Sequence, residues 1–383
     1  MYHDVKNIFH VLIIFQCLFF AALLLLQTRG RRTSNLLLAA FLVFRAAAEV
    51  GGVFFHFRAL RDVIYASAPH LFWVDVPFDF LWIPVLYLYV LSLAEKDFAL
   101  RAGRFMHAVP FLLALAYILV RFEFRSASVL RSMITPDSRF LPVEDHVLTG
   151  LIYLQFFGYT VAGLVTLRHY RDEVKEVLST IDEVNLSWLK AVLYGFMTWE
   201  GLSIIEYGLW LALGTKPVTY LLYIAAEVTF LLFLCLLFVR GLRQPEVFTG
   251  EIAAALRRKY EKTLLPESAR AAFREKLVTV MDSQKPYLDP LLSLPDLARK
   301  VGLPAHQLSQ VINTCFERNF FDFVNSYRIR ESQRLLAGAE SQGRTVLEIL
   351  YETGFNSKSV FNTVFKRHTG MTPTEYKKQV HAS

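Results

Sequence analysis

Cysteine is scarce: Cys17, Cys235 and Cys315 stand far apart, and two of them lie inside apolar blocks. That excludes a disulfide framework and any zinc-type spacing, and the thiols in the apolar blocks are expected to pack as small hydrophobes. No metal-ligand spacing, nucleophile elbow or phosphate loop occurs, so nothing points to an enzyme and no cofactor is expected. Charge is also thin, at 20% of residues against 54% hydrophobic, with a mean hydropathy of +0.36. The shortage is uneven. Residues 8–242 are built of long blocks nearly free of charge, with 33 Phe in the whole chain to feed them, whereas residues 243–383 read as ordinary amphipathic protein. A single soluble globule is excluded, and a membrane half followed by a soluble half is expected.

Seven blocks are long enough to cross about 30 Å of hydrocarbon: 8–27, 36–55, 71–93, 106–122, 147–167, 191–214 and 220–242. The first lacks a small-residue cleavage site before its basic flank, so it is expected to remain as a span. With the N-terminus outside, the inner connections hold twelve Lys or Arg, from Arg29 to Arg243, and the outer ones seven, from Lys6 to Lys216. That excess follows the positive-inside rule and sends the soluble half to the cytoplasm.

Ionisable residues inside spans are costly unless paired or wet. Arg45 and Glu49 are four apart on the second span, as are Asp75 and Asp79 on the third, so each pair shares a helix face. Glu206 lies eight residues inside the outer end of span six and Glu227 seven inside that of span seven. Glu49 and Asp79 fall at similar depth, roughly 10 Å below the outer surface at about 1.5 Å per residue. Two readings stand open: an outward-facing site for a cationic ligand or a proton, or a bundle in which Arg45 neutralises one acid and the others merely hold helices together. Glu200 reads as an interhelical or hinge residue, and Trp73, Trp210 and Tyr220 as an aromatic belt.

Residues 243–284 form a linker with a basic run, Arg257, Arg258, Lys259 and Lys262, and a helical stretch carrying Ala272, Leu277 and Met281. From Lys285 onward the periodicity is helical with no alternating strand. "SLPDLARKVGLPAHQLSQVINTCF" reads as helix, Gly-containing turn, helix, and "TVLEILYETGFNSKSVFNTVFKRHTG" repeats the plan after a long connecting helix. The second unit's later helix collects Lys358, Lys366 and Arg367 beside Asn356, Ser357, Ser359 and Asn362; the first unit offers His306, Gln307, Gln310 and Asn313. Asn and Gln can read adenine edges, while Lys and Arg read guanine or hold phosphate. Net charge over 285–383 is a modest +4, from thirteen basic and nine acidic residues, so placement matters more than the total.

The segment "GFNSKSVFNTVFKRHTGMTPTEYKK" closely resembles the C-terminal signature of the AraC/XylS family of bacterial transcription regulators, and "FFDFVNSYRIRESQRLL" resembles that family's connecting helix. The resemblance runs from Lys285 to Lys378, about a quarter of the chain. It implies that Gly354 and Phe355 make a turn, Phe361 and Phe365 fill a core, and Gly370, Pro373 and Tyr376 set the last helix. Two positions depart from the commonest pattern: Glu317 stands where many members have Gly, and Leu350 where a small residue is usual. The fusion to many spans resembles a less common membrane-bound subclass.

The expectation is therefore an all-α protein: a seven-span bundle (1–242), a linker or signalling helix (243–284), and a cytoplasmic DNA-binding domain with two helix-turn-helix units (285–383). It would sit in the bacterial inner membrane as a one-component regulator. Double-stranded promoter DNA, membrane lipid and a small ligand or proton are the expected partners, with RNA polymerase and a second copy of the chain (a homodimer) beside them. The competing reading is a transporter or channel with a regulatory helical domain. Against it stands the lack of an inverted repeat or of Gly/Pro-broken spans in matching positions.

Overall fold

The computed structural model describes residues 2–27, 31–95, 98–133, 143–181, 186–214, 216–242, 265–338 and 343–382. The basic run Arg257, Arg258, Lys259 and Lys262 lies outside them, as do Arg29, Lys96, Arg139 and Arg243. Among the described residues every regular element is a helix, and the one β feature is an isolated antiparallel bridge between Leu178 and Ser293. The chain divides into two compact units: Met1–Arg168 with Leu186–Glu246, and His169–Asn185 with Val247–Ser383.

The first unit holds α1 (Tyr2–Leu26), α2 (Arg32–Ala47), α3 (Val50–His56), α4 (Arg58–Ser67), α5 (Val76–Asp79), α6 (Trp82–Ala94), α7 (Val109–Glu123), α8 (Ala127–Met133), most of α9 (Val143–Lys175), α10 (Ser187–Leu213) and α11 (Pro217–Leu242). Its interior is aromatic: Phe41, Tyr89, Phe156, Phe196 and Phe230 are fully buried where α2, α6, α9, α10 and α11 meet. Outward faces are equally apolar, with Phe15 64% and Leu154 71% exposed. Such a surface would be an aggregation hazard in water but suits a lipid environment.

Six stretches are long and apolar enough to cross a membrane: Val5–Leu26, Arg32–His56, Pro69–Ala94, Ala102–Arg121, Val143–Lys175 and Pro217–Leu242. The expected block 191–214, the sixth in chain order, coincides with α10, which forms as a helix but does not belong to this set; Lys190, Glu200 and Glu206 all lie on it. Two of these stretches are interrupted. The second breaks between Ala47 and Val50, just before Gly51 and Gly52, and the third between Asp79 and Trp82, flanked by Pro77 and Pro84. Gly and Pro punctuate helices for opposite reasons, lost restraint and a lost donor. These breaks lie in consecutive spans rather than in matching positions of two halves.

The second unit holds α12 (Glu267–Gln284), α13 (Leu294–Val301), α14 (Ala305–Phe316), α15 (Phe320–Ala337), α16 (Val346–Glu352), α17 (Lys358–Thr369) and α18 (Pro373–Ala382). Capping boxes start α13 and α16: Ser293 with Asp296 and Thr345 with Glu348 exchange side-chain and backbone hydrogen bonds. Gly302 (φ +72°) and Gly370 (φ +82°) end α13 and α17 in the left-handed region. Leu277 and Met281 of α12, Leu297 and Val301 of α13, and Leu308 and Ile312 of α14 share one core with Phe323 of α15. The helix read from sequence as part of a linker thus packs within this core. Around α17 a chain of edge-on rings, Phe355–Phe361–Phe365–Tyr376, fills a second apolar centre at centroid spacings of 5.0, 5.5 and 5.4 Å.

Candidate functional site

In the first unit the charged residues expected to share a depth fall into two groups. Arg45 pairs with Glu49 one turn along, and His10 of α1 joins the same carboxylate. The guanidinium lies over the rings of Trp82, Trp199 and Phe230 at 5.4, 5.4 and 4.8 Å, so aromatic faces share the work of stabilising it. Asp79 and Glu227 lie within electrostatic reach of Arg45, and so does Glu200, which sequence reasoning set aside. Asp75 lies against Gly51, where a Cβ would collide with its carboxyl group, and Gly52 makes the same room for His10. Buried oxygens Asp75 Oδ1 and Glu227 Oε2 have no hydrogen-bond partner among the described residues. Glu206 goes elsewhere, to Lys6 at 3.8 Å, whose ammonium also lies 4.3 Å from the Tyr223 ring centroid. Sequence spacing missed His10 and Lys6 because both are on α1, whose partners are chosen by packing.

In the second unit the two helix pairs, α13–α14 and α16–α17, are joined through α15. Phe361, Val364 and Phe365 turn inward from α17, which leaves Lys358, Ser359, Lys366 and Arg367 exposed and Asn356, Ser357 and Asn362 half-buried. Ser357 caps the helix, its Oγ accepting from the Val360 N–H at 3.4 Å. Arg367 pairs with Asp322 of α15. Partial desolvation, Arg367 and Arg318 hold His368 below its ordinary value against the pull of Asp322.

On α14 the expected open face is partly occupied. His306, Gln307 and Gln310 are half-buried, and Asn313 is exposed. Gln310 Oε1 accepts from the Leu265 N–H at 3.3 Å, and Asn313 Nδ2 donates to Glu176 Oε2 at 3.3 Å.

A family profile described as "Helix-turn-helix domain" matches residues 297–379, which run from within α13 through both pairs and α15. The C-terminal domain belongs to the AraC/XylS family. Similar proteins include an uncharacterized HTH-type transcriptional regulator, YdeC, of Bacillus subtilis, 33% identical over 23% of this chain and 29% of its own length. The melibiose operon regulatory protein of Escherichia coli is 27% identical over 24% of this chain and 29% of its own. The HTH-type transcriptional activator RhaR of Salmonella dublin is 25% identical over 34% and 45%. The chain thus spans less than half the length of these relatives. No solved structure matches it.

Within the AraC/XylS domain both unusual residues find their place. Glu317 adopts φ +53°, the left-handed conformation that glycine takes without strain, and ends α14. Leu350 is buried on the inner face of α16. Gly354 (φ +84°) is obligatory twice over, since a Cβ there would collide with the Tyr287 carbonyl oxygen.

The residue that motif reading missed is Arg328 of α15, with 0% exposure. Its Nε donates to the Tyr287 carbonyl at 2.7 Å, and Nη2 to the Asp289 carbonyl at 2.7 Å and Ser179 Oγ at 3.1 Å. Its Nη1 lies 3.2 Å from the Ser179 carbonyl, 3.2 Å from Asn325 Oδ1 and 3.3 Å from Thr180 Oγ1. Burial pulls the guanidinium down to about 9, with Asp289 pulling the other way, so it stays cationic at pH 7. No local pattern pointed to it, because Ser179 is 149 residues away in the chain.

Proposed function

We propose that this protein is a membrane-embedded, one-component transcription regulator. One observation carries the reading: a single chain joins six membrane-length apolar helices to an AraC/XylS DNA-binding domain. The AraC/XylS domain binds double-stranded promoter DNA, with α14 and α17 as the recognition helices of two helix-turn-helix units. Lys358, Lys366 and Arg367 hold phosphate or read guanine, and Asn356, Ser357, Ser359 and Asn362 supply hydrogen bonds to base edges. On α14, His306 and Gln307 contact DNA first, while Gln310 and Asn313 must exchange their present partners to do so.

The membrane half comprises seven spans, α10 being the sixth and completing the count, with the N-terminus outside and the AraC/XylS domain in the cytoplasm. Its sensing site is the group of Arg45, Glu49, Asp75, Asp79 and Glu227, with Glu206 at its edge, and it takes a small cationic ligand or a proton. The buried, unpartnered oxygens of Asp75 and Glu227 support this reading, since such atoms are expensive inside a bilayer. A footprint of the tagged chain across a bacterial genome tests the whole proposal. Protected promoters whose half-sites recur at about one helical turn, about 34 Å, are expected; a chain that enriches no DNA sinks it.

A further inference from the structure

The loop that follows α9 contributes to the AraC/XylS domain as core, as backbone partner and as acceptor for a buried charge. Val177 is 1% exposed and lies in the same apolar cluster as Leu277, Met281, Leu294 and Leu297. On either side of the Leu178–Ser293 bridge, the Leu294 N–H donates to the Val177 carbonyl at 2.9 Å and the Ser179 N–H to the Leu292 carbonyl at 3.4 Å. Ser179 Oγ donates to the same Leu292 carbonyl at 2.6 Å. The Ser179 carbonyl accepts from Asn325 Nδ2 at 3.2 Å as well as from Arg328.

These contacts are not interchangeable with water. Without Ser179 and Thr180, the Nη1 and Nη2 groups of Arg328 would lose three of their acceptors inside the domain, and unpaired polar hydrogens there are expensive. Without Val177 the core beside α13 would hold a void. One residue before Val177, Glu176 accepts from Asn313 on α14, the helix that carries His306, Gln307 and Gln310. The loop therefore touches the start of α13, the middle of α15 and the outer face of α14.

We propose that residues 169–181, the end of α9 and the loop after it, are a working part of the DNA-binding domain, and that the first helix pair keeps its DNA-binding geometry only while this segment is seated. The chain then ties that geometry to the membrane half through the loop between α9 and α10 as well as through the segment after α11. The inference rests on the DNA-binding reading of the domain.

The test uses the full chain in lipid nanodiscs, with Cys17, Cys235 and Cys315 replaced by Ala and Leu178→Cys introduced with Ser293→Cys. The hydrogen bonds flanking this pair make it a non-hydrogen-bonded antiparallel pair, whose Cα atoms lie about 4.5 Å apart, within the range of about 4.4–6.8 Å that a disulfide bridges. Mild oxidation is expected to cross-link it and leave affinity for mixed-sequence duplex DNA within about twofold of the reduced form. Val177→Asp, uncross-linked, is expected to weaken DNA binding about tenfold or more and to speed amide exchange in α13 and α15 without changing that of α2 or α11. Closing the 178–293 disulfide in the Val177→Asp chain should restore most of the affinity, which a globally misfolded variant would not do. The proposal is overturned if the pair does not cross-link, if the cross-link abolishes DNA binding, or if Val177→Asp leaves affinity and exchange as in the parent. A parent chain that binds no duplex DNA would sink the DNA-binding reading, and with it the claim on geometry, even where cross-linking and exchange show the loop seated.

Discussion

Position 317 illustrates how a single residue can carry a cost that the fold absorbs. A left-handed conformation strains any residue with a Cβ by about 1–2 kcal/mol, whereas glycine gives back part of that gain through its looser unfolded chain, about 0.4–1 kcal/mol. Glu317→Gly should therefore stabilise the AraC/XylS domain by about 0.5–1 kcal/mol. A denaturant midpoint that stays put or falls would show that the Glu317 side chain does something its backbone angle hides. On α17 the exposed cations are not equivalent. Lys366→Ala should weaken DNA binding across many sequences and flatten the salt dependence, with Arg367→Ala a smaller version of the same effect because Asp322 already engages that guanidinium. Asn362→Ala should instead cost about 1–3 kcal/mol at chiefly one base pair. Affinity measurements against a randomised duplex library at two salt concentrations separate the two behaviours, and equal loss on every sequence from Asn362→Ala would show that α17 has been turned the wrong way.

Among the elements, those with strong local signals are legible in the sequence. The Ser-x-x-Asp and Thr-x-x-Glu boxes that begin α13 and α16 and the glycines that end α13 and α17 act within one turn of chain, so adjacent residue types suffice to place them. α12 was harder: its apolar spacing suited a signalling helix as well as a packed one, and only tertiary contact assigns Leu277 and Met281 to the core shared with α13 and α14. A fragment beginning at Gln284 removes those side chains and should fail to unfold cooperatively, whereas one beginning at Leu265 and supplemented with a peptide of residues 169–181 should show a sharp thermal transition. Calorimetry of the two preparations decides it; a sharp transition in the shorter fragment would reduce α12 to an accessory. Interruptions in the second and third apolar stretches were missed for a different reason. Apolar length was read as continuity, although Gly51, Gly52, Pro77 and Pro84 are the residues that break helices.

For the whole molecule, the decisive feature is an apolar unit whose interior gathers Glu49, Asp75, Asp79, Glu200 and Glu227 around Arg45, joined to a helix-turn-helix domain. A signal acting through the acids can move promoter occupancy only as far as it prefers one bundle arrangement to another. Asp79→Asn and Glu227→Gln preserve shape while removing charge, so together they should alter the response of a promoter reporter without lowering the amount of protein in the membrane. An unchanged response at parental protein level would make these carboxylates structural and leave the sensing site elsewhere. Glu49 and Arg45 are poorer choices for that test, since each is the other's partner and removing either leaves a buried charge unpaired.

The amino-acid sequence alone determined the all-helical class, the apolar half and the family of the C-terminal domain. Each of these rests on composition, on a helical period or on a motif within a few turns of chain. Tertiary structure decided which distant residues meet. It brought His10 to Glu49 across 39 residues and closed the rings of Trp82, Trp199 and Phe230 around Arg45. It also seated Ser179 on Arg328 across 149 residues. Such pairings have no period for a sequence to display. They follow from the need of each buried charge and donor for a partner, and which partner reaches it is settled only when the helices pack.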